Sequence, residues 1–171
     1  QYHLNKTALD IEKLVNIFRP HLEDADFKIW EEGWYSQTLA AAWIHDIGML
    51  KNRRNHSVGT AEALFEEDRF GFDFQGIGIG DRVKIGMICI RHNNGWPGVW
   101  VAMKEVLEKN SLPLDIIEQL FEDSNTPKWE LDFSGRMLSA ADGLRYRGVN
   151  LRNDLQQPFS LWSECGVCNA P

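Results

Sequence analysis

The sequence predicts an all-α helical bundle, and two observations support this prediction. Apolar residues recur at the three- and four-residue spacing of a helical face, whereas no segment alternates apolar and polar residues as a half-buried strand does. Apolar residues form 43% and charged residues 25% of the 171 residues, a balance typical of a globular domain that buries its own core. We therefore expect one helical domain at residues 1–150, followed at 151–171 by a tail or the start of another segment.

The first third of the chain contains two predicted helices separated by a predicted loop. Residues 4–18 carry an apolar residue at every third or fourth position, and Pro20 then ends the helix. Residues 21–33 are acidic and aromatic, which indicates a loop or a short irregular insert. Residues 35–47 are apolar almost all round, as in the central helix of a bundle, and Gly48 marks the end of that helix.

Later segments also show helical patterns. The segment 81–91 fits a strand or a helix by pattern alone, and its helical neighbours favour a helix. Ser111 is available as the N-terminal cap of a helix at 113–121, and the glycine-rich stretch 70–80 is a predicted loop. The predicted helical segments are 57–67, 81–91, 99–109, 113–121 and 134–146.

Charge and hydropathy exclude several classes of partner. A formal net charge of −7 opposes binding to a nucleic-acid polymer, so the charge balance favours a small substrate. The apolar runs fall far short of the roughly 20 residues that cross a bilayer, so we expect no membrane contact. Three cysteines, an odd number, suit a reducing compartment, and we therefore expect a cytoplasmic protein.

The two ends of the sequence suggest a larger context. The chain begins without Met and stops abruptly at Pro171, which indicates a domain cut from a longer protein and fused there to other domains. Cys165 and Cys168 form a CxxC pair, which is half of a zinc site that residues beyond Pro171 would have to complete.

Histidines and aspartates near the ends of the predicted helices supply the donors that a divalent metal site needs. Neutral imidazoles and carboxylates bind first-row divalent ions, and helical bundles build such sites from inward-pointing side chains of separate helices. The candidate ligands are His3, His45, Asp46, His56, His92 and Asp142.

Four segments carry a resemblance to a known family. His3 is followed by WIHDIGML at 43–50, NHSVGTAEALFEE at 55–67, IRHNNGWPG at 90–98 and LSAADGLRYR at 138–147, which gives the order H…HD…H…H…D. In this order the chain resembles the HD-domain superfamily. It departs from the family where Met49 replaces the lysine of the HDIGK form, and it lacks the paired histidine and the GYP run of the cyclic-di-GMP-hydrolysing branch.

The resemblance implies an HD-domain-like bundle with a metal site in its core and a metal-dependent phosphohydrolase activity. The substrate would be a nucleotide or another phosphate mono- or diester, attacked by a hydroxide that bridges two ions such as Fe or Mn. Asp46 would be central to catalysis, because its two carboxylate oxygens can serve both ions. The resemblance assigns one ion to His3, His45, Asp46 and Asp142, and the other to Asp46, His56 and His92.

The first ligand of this set has an alternative. His21 lies nearer to His45 along the chain than His3 does. We prefer His3 because it opens an amphipathic helix, whereas His21 follows Pro20 in an acidic segment where a solvated histidine is ordinary.

Basic residues near the predicted ligands are candidates for holding the substrate phosphate. Arg145 is the first choice because it follows Asp142 by three positions and so lies on the same helical face. Lys51 and Arg53, just after the His-Asp pair, are the second choices.

Two other functions remain open for the same ligand set. Some HD-domain proteins hold a mixed-valence diiron centre and oxidise C–H bonds with O₂, so an O₂-dependent turnover would favour an oxygenase. A metal site can also sense or hold a ligand for attached domains, and a metal-loaded protein that hydrolyses no phosphate ester would favour such a regulatory module.

Overall fold

The computed structural model describes residues 2–66, 74, 76–121 and 126–146, with the side chains of all of these except 2–4, 145 and 146. The all-α prediction is confirmed, because the extended pairing in these ranges is one isolated bridge between Phe121 and Pro127. The helices of the described ranges are α1 (Tyr2–Phe18), α2 (Asp24–Gly33), α3 (Tyr35–Ile44), α4 (His56–Ala63), α5 (Ile79–Arg91), α6 (Trp96–Lys109), α7 (Asp115–Glu118) and α8 (Trp129–Tyr146).

The chain divides into two compact units, Gln1–Ala141 and Asp142–Pro171. The first unit holds α1 to α7 and most of α8. Of the second unit, the structure describes residues 142–146, which form the last part of α8. The predicted boundary between residues 150 and 151 lies outside the described residues, as do Cys165 and Cys168.

Helix α5 lies at the centre of the first unit. It packs against α3, α4, α6 and α7, and its residues from Ile85 to Ile90 are all buried. A helix surrounded in this way needs apolar side chains on nearly all faces, which is why its pattern did not distinguish a helix from a strand. The helical interpretation of 81–91 is correct.

The predicted loop at 21–33 is wrong for most of its length, because Asp24–Gly33 forms α2. Phe27 and Trp30 stand three positions apart and are both buried, so they form a short apolar face. Trp30 is fully buried and donates an indole hydrogen bond to Ser134 Oγ of α8 at 2.9 Å. The burial of two large aromatic rings thus stabilises a helix whose remaining residues are mostly charged.

The predicted central helix at 35–47 ends earlier than expected, at Ile44. Two 3₁₀ turns, Ile47–Leu50 and Arg53–Asn55, follow it and lead into α4. Residues 70–73 and 75 of the predicted loop at 70–80 lie outside the described residues, and α5 already begins at Ile79.

The predicted helix at 113–121 is reduced to α7, four residues long, and Ser111 does not cap it. Ser111 instead has a φ of 55° just after the end of α6, the left-handed conformation with which many helices end. The N-cap position of α7 is taken by Leu114.

None of the helices in the described ranges combines the length and the apolar character that crossing a membrane requires.

Candidate functional site

Three of the predicted histidine ligands lie at helix ends in the first unit. His45 is the C-cap residue of α3, His56 is the first residue of α4, and His92 is the C-cap residue of α5. His45 is fully buried and His92 is nearly so, whereas His56 is partly exposed. The packing of α5 against α3 and α4 brings these three helix ends together.

Each of the three imidazole rings is fixed by the same local hydrogen bond, from Nδ1 to the carbonyl oxygen three residues earlier. His45 Nδ1 lies 2.9 Å from the oxygen of Ala42, and His56 Nδ1 lies 3.2 Å from that of Arg53. His92 Nδ1 bonds the carbonyl of Cys89 in the same way. Because a carbonyl only accepts, each Nδ1 is the donor, and in the neutral ring Nε2 then carries the lone pair.

This arrangement follows from the position of the histidines. The last carbonyls of a helix have no partner within the helix, and a histidine at the C-terminus can donate to them. His45 and His92 do so at the ends of α3 and α5. The same bond orients the ring for a metal, because ligand histidines in proteins usually donate their second N–H to a carbonyl or a carboxylate.

The Nε2 atoms of His45 and His56 face the carboxylate of Asp46. One oxygen, Asp46 Oδ1, lies 3.6 Å from His45 Nε2 and 3.7 Å from His56 Nε2. The His92 ring completes the group, since its centroid lies 5.3 Å from that of His45 and 5.5 Å from that of His56. Four of the predicted ligands therefore form one cluster.

Asn93 is part of this cluster, although the sequence did not single it out. Its side-chain nitrogen lies 2.9 Å from His92 Nε2 and 3.0 Å from His56 Nε2. The amide side chain thus bridges two of the three rings. No sequence signal marks it, because the contact to His56 joins residues 37 positions apart.

Two glycines explain how Asp46 and His56 come together. A methyl group at Gly48 would lie 1.9 Å from the carbonyl oxygen of His56. Only glycine therefore allows the 3₁₀ turn Ile47–Leu50 to pack against the start of α4. Gly59 faces Gly48 from α4, and a methyl group there would lie 3.3 Å from Gly48 Cα. The sequence had indicated Gly48 only as a helix end.

Thr60 links the backbones of the two histidines beside this contact. Its hydroxyl accepts from Gly48 N at 3.0 Å, and it lies 2.8 Å from the carbonyl oxygen of His45 and 2.9 Å from that of His56. Thr60 is fully buried, so the hydroxyl replaces water for these groups. Sequence reasoning missed this residue as well.

Cys89 lies beneath the cluster and forms no disulfide. Burial, together with the nearby Asp46 carboxylate, raises the pKa of its thiol well above the ordinary range. A neutral, buried thiol is a poor nucleophile and a poor metal ligand. The donors that the site offers are therefore imidazole nitrogens and carboxylate oxygens.

This donor set suits a first-row divalent ion, but within the described ranges no three His, Cys, Asp or Glu side chains have the spacing of a formed metal site. Two atoms that share one ion at about 2.1 Å stand about 3.0–3.4 Å apart. The separations of 3.6 and 3.7 Å around Asp46 Oδ1 exceed this range by a few tenths of an ångström. The residue types therefore fit a divalent ion chemically, while these two separations are longer than those of a formed site.

The structure places the remaining predicted site residues as follows. His3 and Arg145 lie in α1 and α8, but their side chains are outside the described residues. Asp142 also lies in α8, in the second unit. His21 is exposed in a 3₁₀ turn after α1.

Lys51, a predicted phosphate contact, pairs with acidic residues. Its ammonium bonds Glu62 and, at 3.2 Å, Glu66. Lys109 of α6 joins the same carboxylates at 3.2 and 3.4 Å. Arg53 is exposed and begins the 3₁₀ turn Arg53–Asn55.

Comparisons with protein-family models, with curated proteins and with solved structures find no match to this chain.

Proposed function

We propose that the protein is an HD-type metal-dependent phosphohydrolase that acts on a nucleotide or another phosphate mono- or diester. One observation carries the proposal: three neighbouring histidines each have Nδ1 bonded to a carbonyl, and Nε2 of two of them, His45 and His56, lies beside the carboxylate of Asp46. The same hydrogen bond from Nδ1 is the one that usually orients ligand histidines toward a metal ion.

Each residue of the cluster has a defined role in the proposal. His56 and His92 would hold one ion with Asp46, and His45 would hold a second ion with the same aspartate. Asp46 would serve both ions, since its carboxylate lies beside both His45 and His56. His3 and Asp142 would complete the ligand set of the second ion. Only the sequence resemblance supports these two assignments.

Divalent ions bound there would neutralise the phosphoryl oxygens of the substrate and lower the pKa of a water molecule. The chain itself then needs to supply orientation and no nucleophile, which agrees with the neutral state of Cys89. Arg145 remains the proposed phosphate contact. Lys51 would have to leave Glu62 and Glu66 to act in the same way.

The test compares metal content and hydrolysis in the wild type, in Asp46→Asn and in Asp26→Asn. The control changes an exposed aspartate of α2 in the same way. After loading with Mn²⁺ or Fe²⁺, we expect about two ions in the wild type and in the control, and most of the metal lost in Asp46→Asn. Hydrolysis of bis(p-nitrophenyl) phosphate and p-nitrophenyl phosphate should fall at least about 100-fold in Asp46→Asn only.

Two results would contradict the proposal. A wild type that binds neither ion after loading has no metal-dependent activity. A metal-loaded wild type that consumes O₂ and hydrolyses neither phosphate ester belongs with the oxygenases instead.

A further inference from the structure

The side chain of Asn93 occupies the two nitrogens that the proposed function assigns to one of the ions. An amide nitrogen carries two hydrogens, and Asn93 Nδ2 lies within 3.0 Å of both His56 Nε2 and His92 Nε2. The amide can therefore donate one hydrogen bond to each ring.

The direction of these bonds follows from the opposite side of each ring. The carbonyls of Arg53 and Cys89 accept from Nδ1, so Nε2 of His56 and of His92 is an acceptor in the neutral ring. A cation needs the same lone pairs. The amide of Asn93 and an ion cannot occupy these two nitrogens at the same time.

The amide is the part of this arrangement that is able to move. His92 is held by its Nδ1 bond and by Ser139, whose hydroxyl donates to the His92 carbonyl at 2.6 Å. The side chain of Asn93 is exposed, so it can rotate into solvent without disturbing the core. Its rotation breaks the two hydrogen bonds to His56 and His92.

We propose that Asn93 is a latch on the ion site of His56, His92 and Asp46, and that a divalent cation binds there only after the amide has rotated away. This inference rests on the proposed function. The latch lowers the affinity of only one of the two ion sites, because Asn93 bonds to His56 and His92. Removal of the amide should therefore strengthen the binding of one ion and leave the other unchanged.

The experiment titrates the metal-free chain with Mn²⁺ and counts free Mn²⁺ by electron paramagnetic resonance. Asn93→Ala should tighten the weaker of two Mn²⁺ sites about 10-fold, since two neutral hydrogen bonds no longer compete with the ion. Asn93→Leu should act in the same way, because leucine keeps a similar shape but donates no hydrogen bond.

Asn94→Ala is the matched control. Its amide belongs to the same loop but bonds Ser57 Oγ at 3.4 Å and the carbonyl of Ile90 at 3.1 Å, so its removal should leave both Mn²⁺ affinities unchanged. In the metal-free protein, the ¹⁵N resonances of His56 Nε2 and His92 Nε2 should shift in Asn93→Ala and keep their positions in Asn94→Ala. This second readout needs no metal and no activity.

The outcomes separate the latch from the proposed function. Weaker Mn²⁺ binding in Asn93→Ala would make the amide a ligand, and an unchanged affinity or an equal gain at both sites would also overturn the latch. If the wild type still binds two ions that Asp46→Asn loses, the proposed function survives any of these results. Absence of Mn²⁺ binding in the wild type and in both Asn93 variants would overturn both.

Discussion

At the scale of single residues, Thr60 has the clearest structural consequence. Its hydroxyl serves the N–H of Gly48 and lies within hydrogen-bond distance of the carbonyls of His45 and His56 in a fully buried position. A hydroxyl has one hydrogen, so it accepts from Gly48 and donates to one of the two carbonyls. The turn that carries Asp46 is thereby attached to α4.

We expect Thr60→Val to lower the free energy of unfolding by about 1–3 kcal/mol, because valine has nearly the same shape but leaves the Gly48 N–H buried without its partner. Thr60→Ser keeps the hydroxyl and should cost no more than about 1 kcal/mol for the lost methyl group. Urea unfolding followed by circular dichroism measures both values. Equal stabilities of the two variants would show that the hydroxyl contributes nothing.

Gly48 sets the distance between the turn and α4. In Gly48→Ala the new methyl group would meet the carbonyl oxygen of His56 at 1.9 Å and the nitrogen of Thr60 at 2.5 Å, and these backbone atoms cannot rotate away. We expect a loss of about 3 kcal/mol in the free energy of unfolding. Gly33→Ala, at the end of α2 with no atom within 4 Å of the new methyl group, should be neutral or slightly stabilising. Denaturant midpoints test the pair, and a stable Gly48→Ala variant would disprove the tight contact.

At the scale of elements, four charged side chains join the turn after α3 to α4 and α6. Lys51 and Lys109 both contact Glu62 and Glu66. Burial raises the pKa of Glu62, but the hydrogen bonds from Lys51 and Lys109 outweigh it and leave this pKa below its ordinary 4.5. Burial likewise lowers the pKa of Lys51, and the two glutamates outweigh it and leave it above its ordinary 10.5.

These shifts define the pH range in which the four-residue cluster stabilises the fold. A lowered pKa of Glu62 contributes stability above pH 4.5, and this contribution is lost as the pH falls through the lowered value. A raised pKa of Lys51 contributes stability below pH 10.5, and this is lost as the pH rises through the raised value.

We therefore expect Lys51→Met to cost up to about 1 kcal/mol at neutral pH and almost nothing at about pH 2, because solvent screens these partly exposed pairs. About 0.5 M NaCl should reduce the difference further. Lys104→Met removes one exposed pair to Glu108, at 3.8 Å, and serves as the control with a smaller effect. Unfolding free energies across the pH series measure both variants, and a cost that persists at pH 2 would contradict the electrostatic explanation.

At the scale of the whole molecule, the sequence predicted helices that follow a regular apolar pattern, but it did not predict features that depend on contacts between distant residues. The apolar pattern predicted α1, α3 and α6, since a helix must turn its apolar face to the core, whereas α5 was predicted from its helical neighbours. It missed α2, because only Phe27 and Trp30 form the apolar face of this helix. The burial of these two side chains stabilises the helix. The ordered histidines indicated the cluster, but the parts played by Asn93 and Thr60 depend on side chains that meet across different helices.

The proposed ions would couple the elements that carry their ligands, namely the end of α3, the turn after it, the start of α4 and the end of α5. A ligand that binds only the folded state stabilises it by about 2.7 kcal/mol at a concentration 100 times its dissociation constant. For a domain of this size, that gain corresponds to a rise of about 5–10 °C in the melting temperature. We expect Mn²⁺ to produce this rise in the wild type and in Asp26→Asn, and not in Asp46→Asn. Thermal unfolding with and without Mn²⁺ measures the rise. Mg²⁺ should raise the melting temperature less than Mn²⁺ does, because Mg²⁺ prefers oxygen ligands over the imidazoles of this cluster. An equal rise in Asp46→Asn would mean that the stabilising ion binds elsewhere on the chain.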